Sequence, residues 1–208
     1  MSTPTWSTYR ESIGDRSGLF AAVAREWGTA RALYPGSYLD LSPSTAIASV
    51  TYVDTDKRTE RFFADPALVA ADLDGRTLPG AGAEVRFLRA DYTSTLPLAA
   101  DFDLLVSLYA GPVWEHCQQH LAPDGLLLAN TSHGDASLAA LDGSLELVAA
   151  VQHTGDRYRL DTADLASYLQ PRKSGAADSE LIRQSGRGIA YTRSAFAYLF
   201  RRRAGQAA

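Results

Sequence analysis

The chain is 208 residues long, within reach of one large domain and too short for two generous ones. With 46% hydrophobic and 21% charged residues it carries a real core, which excludes a disordered tail or a collagen-like fibre. Lys+Arg 20 against Asp+Glu 24 leave a formal net charge of −4, too balanced to announce nucleic acid or a membrane surface as a partner.

One cysteine, Cys117, excludes an internal disulfide framework and suits a reducing compartment. Lys57 and Lys173 are the only lysines, a bias of composition and not of function. The stretch Met1–Trp6 has no basic patch leading into an apolar region, and no apolar run approaches the ~20 residues that span a bilayer. The expectation is a cytoplasmic protein without a signal peptide.

The first thirty residues read as a helical preface. Ser17 is placed to cap a helix over Gly18–Trp27, with Leu19, Phe20, Val23, Ala24 and Trp27 at helical spacing, and Gly28 ends it. Ala30–Tyr34 is a short apolar strand broken by Pro35-Gly36. Ser42-Pro43 opens a second helical segment, serine as cap and proline in the first turn. Ser49–Val53 is β-branched and ends at Asp54, and a helix is expected through Arg58–Phe63 and the apolar run at 67–70. Glu84–Arg89 is strand-like and ends at Ala90-Asp91. Phe102–Leu108 is a nearly continuous apolar strand, the pattern of a parallel strand covered on both faces. Trp114–Leu121 reads as helix, Pro123-Asp124-Gly125 as a turn and Leu126–Asn130 as the next strand. Two longer strands, Leu145–Gln152 and Ala195–Arg201, flank a polar, partly helical insert with Pro171, Gly175, Gly186 and Gly188.

Strands alternating with helices specify an α/β parallel sheet whose strand ends form a ligand crevice on one edge. Tyr34-Pro35-Gly36, Asp54, Asp91 and Ser107–Gly111 all fall at such ends. A nucleoside cofactor there needs a glycine for close backbone approach and a carboxylate about twenty residues later for the ribose hydroxyls. Gly36 and Asp54 stand in those positions. Asp54 also reads as a turn or helix-cap carboxylate, and Asp56 competes for either job.

Those residues resemble the class I S-adenosylmethionine-dependent methyltransferase family, over about Ala30 to Arg201. Ala32–Asp40 (Ala-Leu-Tyr-Pro-Gly-Ser-Tyr-Leu-Asp) looks like a variant of its first motif. Val53-Asp54 matches the acidic end of its second strand, and Arg89–Tyr92 the motif whose acid meets the adenine amino group. Leu121–Leu128 (Leu-Ala-Pro-Asp-Gly-Leu-Leu-Leu) is similar to its fifth structural element. The resemblance implies a Rossmann-like fold, mostly parallel with a C-terminal antiparallel hairpin made by Leu145–Gln152 and Ala195–Arg201. It divides the chain into a helical segment, 1–29, and a methyltransferase-like domain, 30–208. It implies S-adenosylmethionine held by Tyr34, Gly36, Ser37, Tyr38, Asp40, Asp54, Asp91, Tyr92 and Ser107.

The chain departs from the family in keeping only the first of three glycines. Tyr38 and Asp40 stand at the other two, and Tyr34 at the strand-end acid. Asp40 is then expected to turn back toward the ligand and replace that acid. Tyr109 and His133, after the fourth and fifth strands, are the candidate acceptor contacts, His133 as a general base or a substrate donor and Tyr109 equally as a wall of the pocket. His116 and His120 are four apart on an expected helix, but Cys-Gln-Gln lies between them, so they read as a surface pair and no metal is expected. Trp27 and Trp114 read as packing residues, and Arg172, Lys173, Arg183, Arg187 and Arg193 as a solvated face of the insert.

No Gly-x-x-x-x-Gly-Lys-Ser/Thr loop, Tyr-x-x-x-Lys pair or Gly-x-Ser-x-Gly elbow occurs, which sets aside P-loop nucleotidases, short-chain dehydrogenases and α/β-hydrolases. The expected activity is methyl transfer to a small-molecule acceptor, with no nucleic-acid or membrane partner and a homodimer left open. The competing expectation is a methyltransferase-shaped binding or scaffolding protein without transfer chemistry.

Overall fold

The computed structural model describes residues 4–203. The start of the leader expectation and the last residues of the 30–208 segment lie outside the described residues.

Two helices open the chain. Helix α1 (Trp6–Ile13) is capped by the Thr5 side chain and stops at Gly14. Helix α2 (Ser17–Trp27) ends at Gly28, whose left-handed φ of 66° reverses the chain. Ser17 is the first helical residue and not its cap. The cap position belongs to Arg16, whose guanidinium has no acceptor to offer a helix amide and turns inward to Asp40. Asp15 accepts the Ser17 amide instead.

Next come β1 (Arg31–Pro35), a single 3-10 turn at Ser42–Thr45, and β2 (Ser49–Asp54). The helix expected at Ser42-Pro43 is cut to that turn because the chain must rejoin the sheet at Ser49. Residues 36–41 are taken up by the turn at Gly36 and the inward-facing Asp40, which leaves only 42–48, about two turns, for a helix. Helix α2 packs over this turn, so the N-terminal segment covers the face that a crossover helix would cover. Helices α3 (Lys57–Phe63) and α4 (Pro66–Leu73) follow, capped by Asp56 and Asp65, and lead to β3 (Glu84–Arg89).

Strand β4 (Phe102–Ser107) precedes α5 (Val113–Cys117) and a 3-10 turn, Gln118–His120. The expected helix over Trp114–Leu121 is therefore shorter, since Leu121 already belongs to β5 (Leu121–Ala129). The Pro-Asp-Gly turn lies inside that strand as an irregularity. Leu121 pairs with Phe102 and Leu126 with Leu104, so residues 122–125 bow out opposite Asp103. The remaining elements are α6 (Asp135–Leu141), β6 (Leu145–Thr154), β7 (Arg157–Asp161), a 3-10 turn (Leu165–Leu169), α7 (Ser179–Ser185) and β8 (Ala197–Arg202).

The strands form one eight-stranded sheet in the order β3-β2-β1-β4-β5-β8-β6-β7. Strands β1 to β5 run parallel, and β8 is antiparallel to both β5 and β6. This is a Rossmann-like sheet with a C-terminal antiparallel hairpin, as expected. Strand β7 extends it by pairing antiparallel with β6. Side chains alternate between two cores, one on each face. Tyr34, Tyr52, Leu104 and Leu128 join Trp6, Leu19 and Phe20 on one side, while Leu33, Val53, Leu105 and Leu127 join Trp114 and Tyr198 on the other. Burial on both faces explains why these strands read as apolar runs.

Candidate functional site

The C-terminal ends of β1 to β5 meet on one edge of the sheet, where the first strand turns at Gly36 with φ of 65°. The Gly36 amide donates to the Val53 carbonyl at 2.8 Å, tying the turn to β2. A Cβ at Gly36 would lie 2.8 Å from the Ala110 Cβ and 3.6 Å from the Tyr92 ring, so only glycine fits between the β1 and β4 loops.

Asp54, at the end of β2, is half-buried. Its Oδ2 accepts the Tyr38 amide at 2.8 Å and its Oδ1 the Asp56 amide at 2.8 Å. Each oxygen keeps a further acceptor site. Asp56 caps α3 and bonds Arg58, which holds its carboxyl down at about 2. The competition between these two acids is thereby divided: Asp56 caps, and Asp54 holds the loop. Tyr38 takes a left-handed φ of 46°, with its ring edge-on to Tyr9 at 4.8 Å and beneath the Arg58 guanidinium. Ser37 is buried, its hydroxyl on the Tyr38 carbonyl.

Asp40 lies wholly inside the protein. Its Oδ2 meets the Arg16 guanidinium at 3.0 Å and accepts the Tyr34 hydroxyl at 3.2 Å. Its Oδ1 accepts the Ser42 amide and hydroxyl. Asp40 and Tyr34 thus form one buried polar knot with Arg16. Burial raises the Tyr34 hydroxyl well above the usual phenol range, and the Asp40 charge adds to it. For Arg16, burial works against the cation, but Asp40, Tyr34 and Tyr109 outweigh it and raise its pKa. The Arg16 guanidinium also lies 4.8 Å from the centre of the Tyr109 ring.

Asp91 is exposed and turned onto its own loop, Oδ1 accepting the Thr93 amide and hydroxyl. Tyr92 points the other way, across the edge. Its hydroxyl accepts the Gly111 amide at 3.0 Å, and its ring lies against Gly36. The phenol therefore bridges the β1 and β4 loops over the place where the adenosyl group was expected.

Ser107 ends β4 fully buried, beside Asp135 at the start of α6. Asp135 Oδ2 accepts the Trp114 amide, while Asp135 Oδ1 and Ser107 Oγ lack partners of good geometry. Burial lifts the Asp135 carboxyl to about 6, against the nearby Ser107 hydroxyl and the Trp114 amide, which favour the ionised form. Tyr109, 48% exposed and at φ of 59°, sends its amide to Asn130 Oδ1 and its ring toward Phe196. Tyr158, Phe196 and His153 continue that aromatic surface. His133 is exposed on the loop leaving β5.

The histidine pair departs from expectation. His120 is buried in the 3-10 turn with Nδ1 on the Ala99 carbonyl oxygen, because α5 ends at Cys117 before a shared helical face can form. Among the described residues, no group of three or more His, Cys, Asp or Glu is placed to hold a metal. Trp114 packs as expected, buried with its Nε1 on Asp142 at 2.7 Å. The insert's Arg172, Lys173, Arg183, Arg187 and Arg193 are all exposed, as expected, with Arg183 paired to Glu115 and Arg193 to Asp161. The sequence reading missed Arg16, Asn130 and Asp135. Asn130 and Asp135 follow a strand end and invite inspection on that ground; Arg16 carries no pattern at all.

No protein-family model matches the chain, and no curated protein matches it. Solved structures do, at low identity. A methyltransferase from Geobacter sulfurreducens is 16% identical, with 74% of this chain and 85% of that one covered at a TM-score of 0.49. The N-methyltransferase NodS from Bradyrhizobium japonicum, in complex with S-adenosyl-L-homocysteine, is 13% identical, with 95% and 87% covered at 0.46. For a putative S-adenosyl-L-methionine-dependent methyltransferase from Methanococcus maripaludis, 13% identical, the match covers 60% of each chain at 0.43. The Rossmann-like assignment rests on the strand order and not on these likenesses.

Proposed function

We propose that the chain binds S-adenosylmethionine at the C-terminal edge of β1 to β5 and transfers its methyl group to a small-molecule acceptor. The observation that carries this reading is Asp54, a carboxylate at the end of β2 locked by two backbone amides with acceptor capacity to spare. Such a group suits a ribose diol. Asp91, after β3, keeps Oδ2 for the adenine amino group. Gly36 provides the close backbone approach. In this reading Asp54 takes the sugar and Asp91 the base, and the hollow between them has to open by the Tyr92 phenol leaving Gly111.

When bound, the cofactor supplies a methyl group already activated on a sulfonium. The protein's own work is then orientation and exclusion of water. Tyr109, with Phe196 beside it, offers a flat wall for an acceptor, and Arg16 behind the Tyr109 ring holds that wall in place. His133, on the neighbouring loop, is the proposed proton acceptor where the acceptor carries one.

The closed Tyr92–Gly111 contact favours a second reading, a methyltransferase-shaped binding protein without transfer chemistry. Calorimetry with S-adenosylmethionine and S-adenosylhomocysteine separates the two. Saturable binding that weakens at least about tenfold in Asp54→Asn supports the first, as loss of charged hydrogen bonds requires. Absence of heat with both ligands, in the parent and in Tyr92→Ala, leaves only the second.

A further inference from the structure

A cavity of about 520 Å³ lies in the insert between β7 and β8, and its Ile182, Arg187 and Gly188 walls pack against Thr131 and Gly134, on either side of His133. Its apolar side is Ile182 and Ile189, both buried, with Leu181 56% exposed. Arg172, Lys173 and Arg187 also line it. Among the described residues none of these three cations has a carboxylate at ion-pair distance, whereas the insert's other two arginines are both taken, by Glu115 and by Asp161. Positive charge is thus left uncompensated around an apolar floor.

The walls are built rather than loose. The Arg172 amide donates to the Ala190 carbonyl at 2.9 Å, and Arg172 Nε to the Tyr191 carbonyl at 2.8 Å. The Ile189 amide donates to Ser137 Oγ at 2.8 Å, anchoring the floor to α6. The Gly188 amide donates to the Thr131 carbonyl at 3.1 Å, and a Cβ there would collide with that oxygen. Backbone bonds therefore fix the cavity's shape before any ligand arrives.

We propose that this cavity binds a small organic anion with an apolar body, of the medium-chain or aryl carboxylate class. The carboxylate meets the Arg172, Lys173 and Arg187 cations, and the body lies on Leu181, Ile182 and Ile189. A concave, mostly apolar lining with a few convergent charged groups is the form small-molecule sites take. Guanidinium groups match a carboxylate in charge and in fork geometry. The proposal stands whether or not the sheet edge takes S-adenosylmethionine.

Titration calorimetry with octanoate, 4-phenylbutyrate, 1-octanol and inorganic phosphate tests it. At least one of the two carboxylates is expected to saturate a single site, with octanol and phosphate each at least about tenfold weaker. The Lys173→Glu/Arg187→Glu variant, altered only at exposed positions, is expected to keep its circular dichroism and lose about tenfold in carboxylate affinity. Leu181→Ser is expected to weaken the carboxylate and leave phosphate unchanged. The proposal is overturned if neither carboxylate binds, if octanol or phosphate binds as well as the carboxylates, or if charge reversal leaves their affinity intact.

Discussion

The Tyr92 hydroxyl accepts the Gly111 amide at 3.0 Å, and this one bond joins the loop leaving β3 to the loop leaving β4 across the turn at Gly36. Burial raises the Tyr92 phenol above its usual range against the Gly111 amide, so it remains a neutral hydroxyl at physiological pH. Tyr92→Phe deletes the bond and keeps the ring. A typical net hydrogen bond contributes about 1 kcal/mol, so freeing the ring should raise S-adenosylhomocysteine affinity about fivefold. Calorimetry on the parent and the variant checks this; equal or weaker binding shows that the phenol is not what closes the hollow.

Asp40 is expected to matter for stability before it matters for a ligand. Its side chain is 1% exposed and that of its Arg16 partner 6%. Removing one member of a buried pair strands the other charge, at a cost of about 3–5 kcal/mol. Asp40→Ala should lose that much in a urea melt, a large share of the stability of an ordinary domain. Replacing both partners, Arg16→Met with Asp40→Leu, should recover most of it, because no charge is then left unpaired. A double variant as unstable as the single one refutes the account.

Gly36 combines two demands that a double-mutant cycle pulls apart. Alanine there suffers the left-handed φ, at about 1–2 kcal/mol, and the 2.8 Å approach to Ala110 Cβ. Ala110→Gly in the same chain relieves the second and leaves the first. Gly36→Ala/Ala110→Gly should therefore be more stable in a denaturant titration than additivity of the single variants allows. Strict additivity means the two loops do not touch.

The parallel half of the sheet was legible because β1, β2, β4 and β5 are buried on both faces and must be written in apolar residues. The β1–β2 connection was not, because Ser42-Pro43 obeys helix-start rules while the inward turn of Asp40 spends the residues before it. Strand β7 was hidden by its polar edge residues, Arg157 and Arg159, although Gly155, at φ of 57°, marks the turn before it. Within the site, strand-end position located Gly36, Asp54 and Asp91. Spacing could not say that Asp40 would turn into the core, since that depends on Arg16, a residue twenty-four positions earlier on a separate helix end. Sequence also cannot show which way the Tyr92 ring points.

Asp135 gives the sharpest pH signature. Burial lifts its carboxyl from 3.8 to about 6, with the Glu115 charge adding to the rise and the Ser107 hydroxyl and the Trp114 and Val113 amides opposing it. The native state therefore holds this proton more tightly than the unfolded chain does. Its penalty is absent below about pH 4, grows as pH rises to about 6, and is complete above, at a cost on the order of 3 kcal/mol. Asp135→Asn keeps an oxygen for the Trp114 amide and adds an N–H that can reach the orphaned Ser107 Oγ. Urea melts should show the variant gaining stability over the parent at pH 7.5 and gaining little at pH 4, with most of the change near pH 6. A difference that stays constant from pH 4 to pH 7.5 means that Asp135 is ionised in the folded protein throughout, and that its buried oxygen has a partner beyond those seen at the end of β4.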